Sequence, residues 1–390
     1  MLPLLLGALL LAPLYWLGVP VRFRRDVLAL GSLVALGIYD VRLPPVLLGL
    51  SLLLFAAIRR SAASAIPRRR ILLVSGLLGL LALFTWNKLA GPGVGLLPSQ
   101  GGLVLVGVSY LVLKAAAVLI EASRGSLGNA QLRDLLAWIV FLPTYPSGPI
   151  EEFEHFRGQA PTAAAGRVGI GLERILFGLV KTLIFAHYLG VWADPILSAP
   201  ETQGPGVLLL GLYAFTLRFY FDFAGYSDIA IGLAAVFGYE IQENFDNPLV
   251  RRNLVQLWQR WHMTLTRWLR RYLFLPVSRT IMRRGGERMD TLALIAAQLA
   301  TMTVCGLWHG LGWNFVIWGV LQGLGLVWVG IVARALGRRL PTPLVSWWRG
   351  SRLGHALSVA LTFNAFAVST IFVVSEVDHA LAYLGRLFAL

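Results

Sequence analysis

Two histidines stand where an ionisable group is expensive. His309 lies in CGLWHGLGWNFVIWG, residues 305–319, between Trp308 and Gly310. An imidazole titrates near neutrality, so it can take a proton from a hydroxyl and return it at working pH. A histidine in such a stretch can equally be a hydrogen-bonded packing group, and the pattern alone leaves both readings open. Gly306, Gly310 and Gly312 strip bulk from its surroundings, letting a substrate or another backbone approach, and Trp308 and Trp313 supply rigid aromatic walls.

His262 lies in RRNLVQLWQRWHMTLTRWLRRYLFL, residues 251–275. Leu254, Leu257, Trp258, Trp261, Leu265, Trp268, Leu269 and Tyr272 recur at offsets of three, four and seven, which predicts one helical face. Arg252, Arg260, Arg267, Arg270 and Arg271 fall on the other side. Tryptophan and arginine so arranged suit a helix lying at a membrane interface, with His262 at the edge of the apolar stripe beside Trp258 and Leu269. It either snorkels from that stripe or serves chemistry.

Upstream, FYFDFAGYSDIAIG (219–232) places Asp222 and Asp228 in an aromatic run. A carboxylate at bilayer depth pairs, faces water or serves function; Arg218 or an arginine of 251–275 is the pairing option. The polar stretch after it offers Asn244, Asp246 and Asn247 as helix caps. Metal ligation is not expected, because the six histidines are scattered and the chain has one cysteine, Cys305. No Gly-x-Ser-x-Gly elbow, Walker loop or dinucleotide fingerprint occurs; the glycines at 91–93 and 285–286 read as turns.

The elements that hold these residues must be membrane helices. Of 390 residues 57% are hydrophobic and 14% charged, against roughly 25% charged in soluble domains, and mean hydropathy is +0.70. The net charge of +15 would suggest nucleic acid in a soluble protein. Here the basic residues gather at the ends of apolar runs, as the positive-inside rule expects, and with no zinc-finger or RNA-recognition spacing nucleic acid is excluded. Apolar runs at about 2–20, 27–40, 44–58, 71–87, 102–120, 135–148, 168–196, 206–238, 290–308, 312–334 and 355–374, with a weaker one at 380–390, predict ten to twelve spanning or re-entrant helices. Sheets are disfavoured because lipid cannot satisfy an open edge. The first run lacks a basic residue before it and has Arg22, Arg24 and Arg25 after it, which predicts a retained span with its N-terminus outside. Arg59, Arg60 and Arg68–Arg70 mark a second cytoplasmic loop, and residues 251–288, with ten arginines, a third. His309 then lies one passage beyond it, within the membrane or its outer half, before Arg334, Arg338 and Arg339 return the chain inside. With no soluble domain or internal duplication, the expectation is one membrane domain over 1–390, its motif core at about 140–320.

FYFDFAGYSDIAIG, NFDNP, WQRWHMTLTRWLRRYLFLP and GLWHG followed by WG, in that order, resemble the membrane-bound O-acyltransferase family, as does FLPTYPSGPIEEFEHF at 141–156. The likeness is greatest to the bacterial alginate O-acetylation branch, with the D-alanyl transfer proteins of teichoic acid modification next. It implies a polytopic helical fold around a central tunnel in the bacterial cytoplasmic membrane. It also implies His309 as the transfer-point histidine and His262 as a second motif histidine reached from the cytoplasmic side. On this basis His309 is expected to act as base, and Trp258, Trp308, Trp313, Asn244 and Asp222 to line the tunnel. Arg260, Arg267, Arg270 and Arg271 would attract donor phosphates. No bound cofactor is expected. The donor would be an acyl thioester, acetyl-coenzyme A or an acylated carrier, and the acceptor an extracytoplasmic polysaccharide or envelope hydroxyl, reached directly or through a second acyltransferase. D-alanyl transfer and proton-coupled transport are the alternatives; a transporter would be expected to show the two matching halves that are missing here. The tail FVVSEVDHALAYL departs from the aromatic-Arg-Ala element of many relatives.

Overall fold

The computed structural model describes residues 2–90, 105–161, 165–285 and 290–388. The expected turns at 91–93 and 286, the start of the 102–120 run and Arg288 lie outside these residues. The described residues form helices and no strands.

Among the described residues seven helices are long and apolar enough to cross a bilayer: Leu43–Ala62, Ile66–Leu89, Arg167–Ser198, Pro205–Val236, Asp290–His309, Trp313–Arg339 and Arg352–Val374. Between 17% and 44% of each one's apolar window is buried. The remainder carries bare leucines, isoleucines and aromatics, which water would not tolerate and lipid does. The protein is therefore a multi-pass membrane protein. Leu2–Gly18 and Val21–Tyr39 complete the N-terminal helices. The expected span at 135–148 is corrected: the α-helix covers only Leu132–Val140, about 13 Å at 1.5 Å per residue, and a single 3-10 turn, Leu142–Thr144, follows it. Pro143, Pro146 and Pro149 have no backbone N–H to donate, so the hydrogen-bond ladder of the helix cannot run on through them.

The chain packs as two compact units, Met1–Gly178 with Ser227–Gln242, and Leu179–Tyr226 with Glu243–Leu390. In the first, Phe141, Phe156 and Tyr239 form a ring cluster with centroids 4.8–5.2 Å apart, and Gly171 and Gly232 let two helix backbones touch: a Cβ on Gly232 would lie 2.5 Å from the Gly171 carbonyl. In the second, Asp290–His309 and Trp313–Arg339 form a tight hairpin around a three-residue turn. A Cβ on Gly306 would meet the Phe315 carbonyl at 2.1 Å, and one on Gly319 the Met302 carbonyl at 2.4 Å. Glycine at both positions thus makes the crossing possible. Cys305, the sole cysteine, is fully buried beside it.

Candidate functional site

Both motif histidines belong to the second unit. The 251–275 segment is not the single interfacial helix expected from its periodicity. It forms a short helix, Leu254–Arg260, a corner at Trp261 and His262, and a second helix that begins at Met263 and continues, through a π-helical stretch at Arg270–Phe274, to Gly285. At the corner His262 has φ 42° and ψ 52°, the left-handed region that residues other than glycine seldom enter.

A strap at 244–246 holds that conformation. The Met263 N–H donates to the Asn244 carbonyl (2.8 Å), and the Asp246 N–H to the Arg260 carbonyl (3.0 Å). Asn244 Oδ1 accepts from the Thr264 N–H (3.3 Å) and hydroxyl (2.9 Å) and lies 3.1 Å from His262 Nδ1. Asn244 therefore caps the second helix from outside it, satisfying backbone donors that a helix start leaves orphaned. This explains why periodicity misled: the corner turns Trp258 and Trp261 inward on one arm and Thr264 and Leu265 inward on the other, with backbone polar groups recovered by Asn244. His262 is 1% exposed and does not snorkel.

The same contacts fix its proton. A backbone N–H only donates, so the atom it meets on Asn244 is the amide oxygen, and an amide oxygen only accepts. His262 Nδ1 must then carry the hydrogen, leaving Nε2 as the basic nitrogen. Burial foremost, then neighbouring His309, hold the imidazole well below its ordinary range. His262 is thus a neutral base of fixed tautomer.

Aromatic rings join it to His309. The His262 ring packs edge to face on Phe223 (4.7 Å) and contacts Trp308 (6.2 Å). Trp308 packs on His309 at 4.8 Å, and His309 meets Trp318 at 5.3 Å with planes 89° apart. Trp318 contacts Trp258 at 5.9 Å. Trp258 Nε1 donates to Gln322 Oε1 (3.0 Å), and Gln322 Nε2 donates to Ser369 Oγ (2.7 Å). The indole N–H of Trp318 is buried without a hydrogen-bond partner, a condition that costs about 1–3 kcal/mol.

The other expected residues divide. Trp308, Trp258 and Asn244 join the histidines as read from sequence. Trp313 does not: it is 76% exposed on the first turn of its helix, and Trp318, one and a half turns on, is the wall beside His309. Gly310 makes room for the Phe315 ring, which a Cβ would meet at 2.1 Å. Asp228 pairs with Arg174 at 3.0 Å, a partner not foreseen. Asp222 lies outside the ring cluster, in a separate groove of this unit with Arg218 and Asp194. Arg260 is exposed and pairs through Nη1 with Asp246. Arg267, Arg270 and Arg271 are exposed on the second arm, Arg267 reaching the Glu243 carbonyl at 3.5 Å. Sequence reading missed Trp318, Gln322, Thr264 and Phe223. Gln322 carried a signal, being an amide in an otherwise apolar run, and Trp318 was visible as the WG after the histidine motif. Among the described residues no set of three His, Cys, Asp or Glu side chains gathers as a metal site.

Comparison with known proteins gives a consistent result. The model of the membrane-bound O-acyltransferase family matches residues 80–347, more than half of the chain. The probable alginate O-acetylase AlgI of Azotobacter vinelandii is 34% identical over 229 residues, covering 57% of this chain and 44% of that protein. The teichoic acid D-alanyltransferase of Streptococcus thermophilus is 29% identical over 238 residues, 59% of this chain and 57% of that one. The peptidoglycan O-acetyltransferase of Helicobacter pylori is 29% identical over 220 residues, 55% and 40% of the two chains. The matches to the alginate O-acetylases span under half of their length.

Proposed function

The chain belongs to the membrane-bound O-acyltransferase family, and from that premise we propose that it moves an acyl group, acetyl in the first instance, from a cytoplasmic thioester to a hydroxyl of an extracytoplasmic polysaccharide or envelope polymer. The bacterial cytoplasmic membrane is the place such a reaction needs, with thioester on one side and polymer on the other. The observation that carries the proposal is the continuous ring contact His262–Trp308–His309–Trp318, which gathers two bases and a buried unpaired donor into one apolar site.

Direct transfer is the economical mechanism. His309 takes the acceptor hydroxyl's proton as its oxygen attacks the thioester carbon, forming the C–O bond. The carbonyl oxygen becomes an oxyanion, towards which the unpaired Trp318 indole N–H donates. The intermediate collapses by breaking the C–S bond, and the departing thiolate receives the proton from His309. Ester and free thiol leave. A positioned base typically contributes about 10²–10⁴-fold and one oxyanion donor roughly 10²–10³. His262, with Nε2 as its accepting atom, suits the amide N–H groups of a pantetheine arm, and Arg267, Arg270 and Arg271 suit donor phosphates.

An aminoacyl donor is the second reading, favoured by the larger share of the D-alanyltransferases that the chain covers. Purified protein supplied with acetyl-coenzyme A, or with an aminoacylated carrier, separates the donors by which one yields acceptor-dependent free thiol. His309→Ala should abolish that release, and Trp318→Phe, which keeps the ring but removes the N–H, should lower it roughly 10²-fold. Undiminished release from His309→Ala would refute the mechanism.

A further inference from the structure

A second polar feature of this unit is unused by that mechanism. Asp194, Phe215, Arg218, Phe219, Asp222 and Val374 line a groove of about 360 Å³, near the lower end of ligand pockets. Arg218 pairs with Asp194, and Asp222 is exposed to the groove. Formal charge there is one negative in excess. Phe215 and Phe219 lie parallel, planes 4° apart and centroids 6.3 Å apart. Phe219 in turn packs on Trp261 at 5.5 Å, next to His262 in sequence, while Phe223, beside Asp222, packs on His262 itself. One aromatic layer therefore separates the groove from the histidine site. The groove also lies at the hairpin-tip end of the unit: Val374 closes the helix whose Phe372 carbonyl accepts from Asn314, two residues beyond the Gly312 turn.

These are the elements of sugar recognition. Carboxylates accept hydrogen bonds from hydroxyls in charge-assisted fashion, a guanidinium donates to hydroxyl or ring oxygens, and flat apolar rings cover the C–H face of a pyranose. Lipid tails would match the phenylalanines but would set hydrocarbon against the Asp222 carboxylate, which the Arg218–Asp194 pair does not neutralise.

We propose that this groove binds one neutral monosaccharide unit of the acceptor polymer, with Asp222 and Asp194 accepting from its hydroxyls and Phe219 beneath its ring, backed by the buried Phe215. This assignment rests on the acyltransferase reading for its role as an acceptor subsite. The excess negative charge selects a neutral hexose chain over a polyuronate, because a uronate carboxylate would face Asp222 unpaired.

The test is direct binding of cellotetraose and of tetramannuronate to the purified full-length protein in detergent, with wild type, Asp222→Asn, Phe219→Leu and His309→Ala. Saturable cellotetraose binding is expected, weaker for tetramannuronate, and weakened about tenfold or more by Asp222→Asn, the loss of one charge-assisted bond. Phe219→Leu should weaken it too, so the outcome does not hang on one variant; an unchanged thermal midpoint certifies each fold. His309→Ala should bind cellotetraose like wild type while releasing no thiol. No saturable binding, equal affinity in Asp222→Asn and Phe219→Leu, or preference for tetramannuronate would overturn the groove assignment. Groove-dependent binding by a wild type that releases no thiol from any thioester would instead overturn the acyltransferase reading.

Discussion

At the scale of single residues, Asn244 governs more than its size suggests. One side chain caps a helix, orients a histidine and decides which ring nitrogen is basic. The depressed basicity of His262 has a sign that can be checked. Its folded value lies below the unfolded one of about 6.5, so the unfolded chain binds more protons and stability rises with pH. That stability is fully present above about 6.5 and is lost as pH falls towards the folded value. The thermal midpoint of the wild type should thus drop between pH 7 and 5, and His262→Gln, which cannot titrate, should flatten that drop; parallel curves would refute the buried neutral imidazole. Both motif histidines were legible because an imidazole among tryptophans and glycines is rare enough to notice. Trp318 was legible only as the WG after the histidine motif and not as a donor, since one indole among 13 tryptophans shows its orphaned N–H only when folded.

At the scale of elements, helix faces were readable and breaks were not. The long apolar helices followed from run length, whereas the corner at His262 depends on partners at 244–246 that no local pattern encodes. Charges were legible as loops but not as pairs: the partners of Asp228 and Arg260 come from other helices or loops. The glycine crossing of the 290–339 hairpin carries its own expectation. At Gly319 a methyl group would strike backbone atoms on Met302 and Thr303, whereas at Gly323 the nearest atoms are 3.1 Å away or more. Gly319→Ala should therefore cost about 1–3 kcal/mol and spread Trp308 from Trp318, while Gly323→Ala should cost less. Thermal unfolding of the two purified variants, with thiol release as the second readout, decides it; equal midpoints would contradict the close crossing.

At the scale of the whole molecule, sidedness follows from charge. The positive-inside rule predicts the basic clusters at 59–70 and 334–339 on the cytoplasmic face, and so predicts 199–204, after the Arg167–Ser198 helix, on the opposite side. A cysteine at Thr202 should react with an impermeant maleimide in intact cells, and one at Ser64 only after the membrane is opened; the reverse pattern would invert the topology. The glycine-lined crossing that buries Cys305 makes that mapping unusually clean. Its thiol is shut away from solvent, so the native chain should be silent towards such reagents. Each introduced cysteine then reports on its own position, with the buried Cys305 left in place beside the Gly306 crossing.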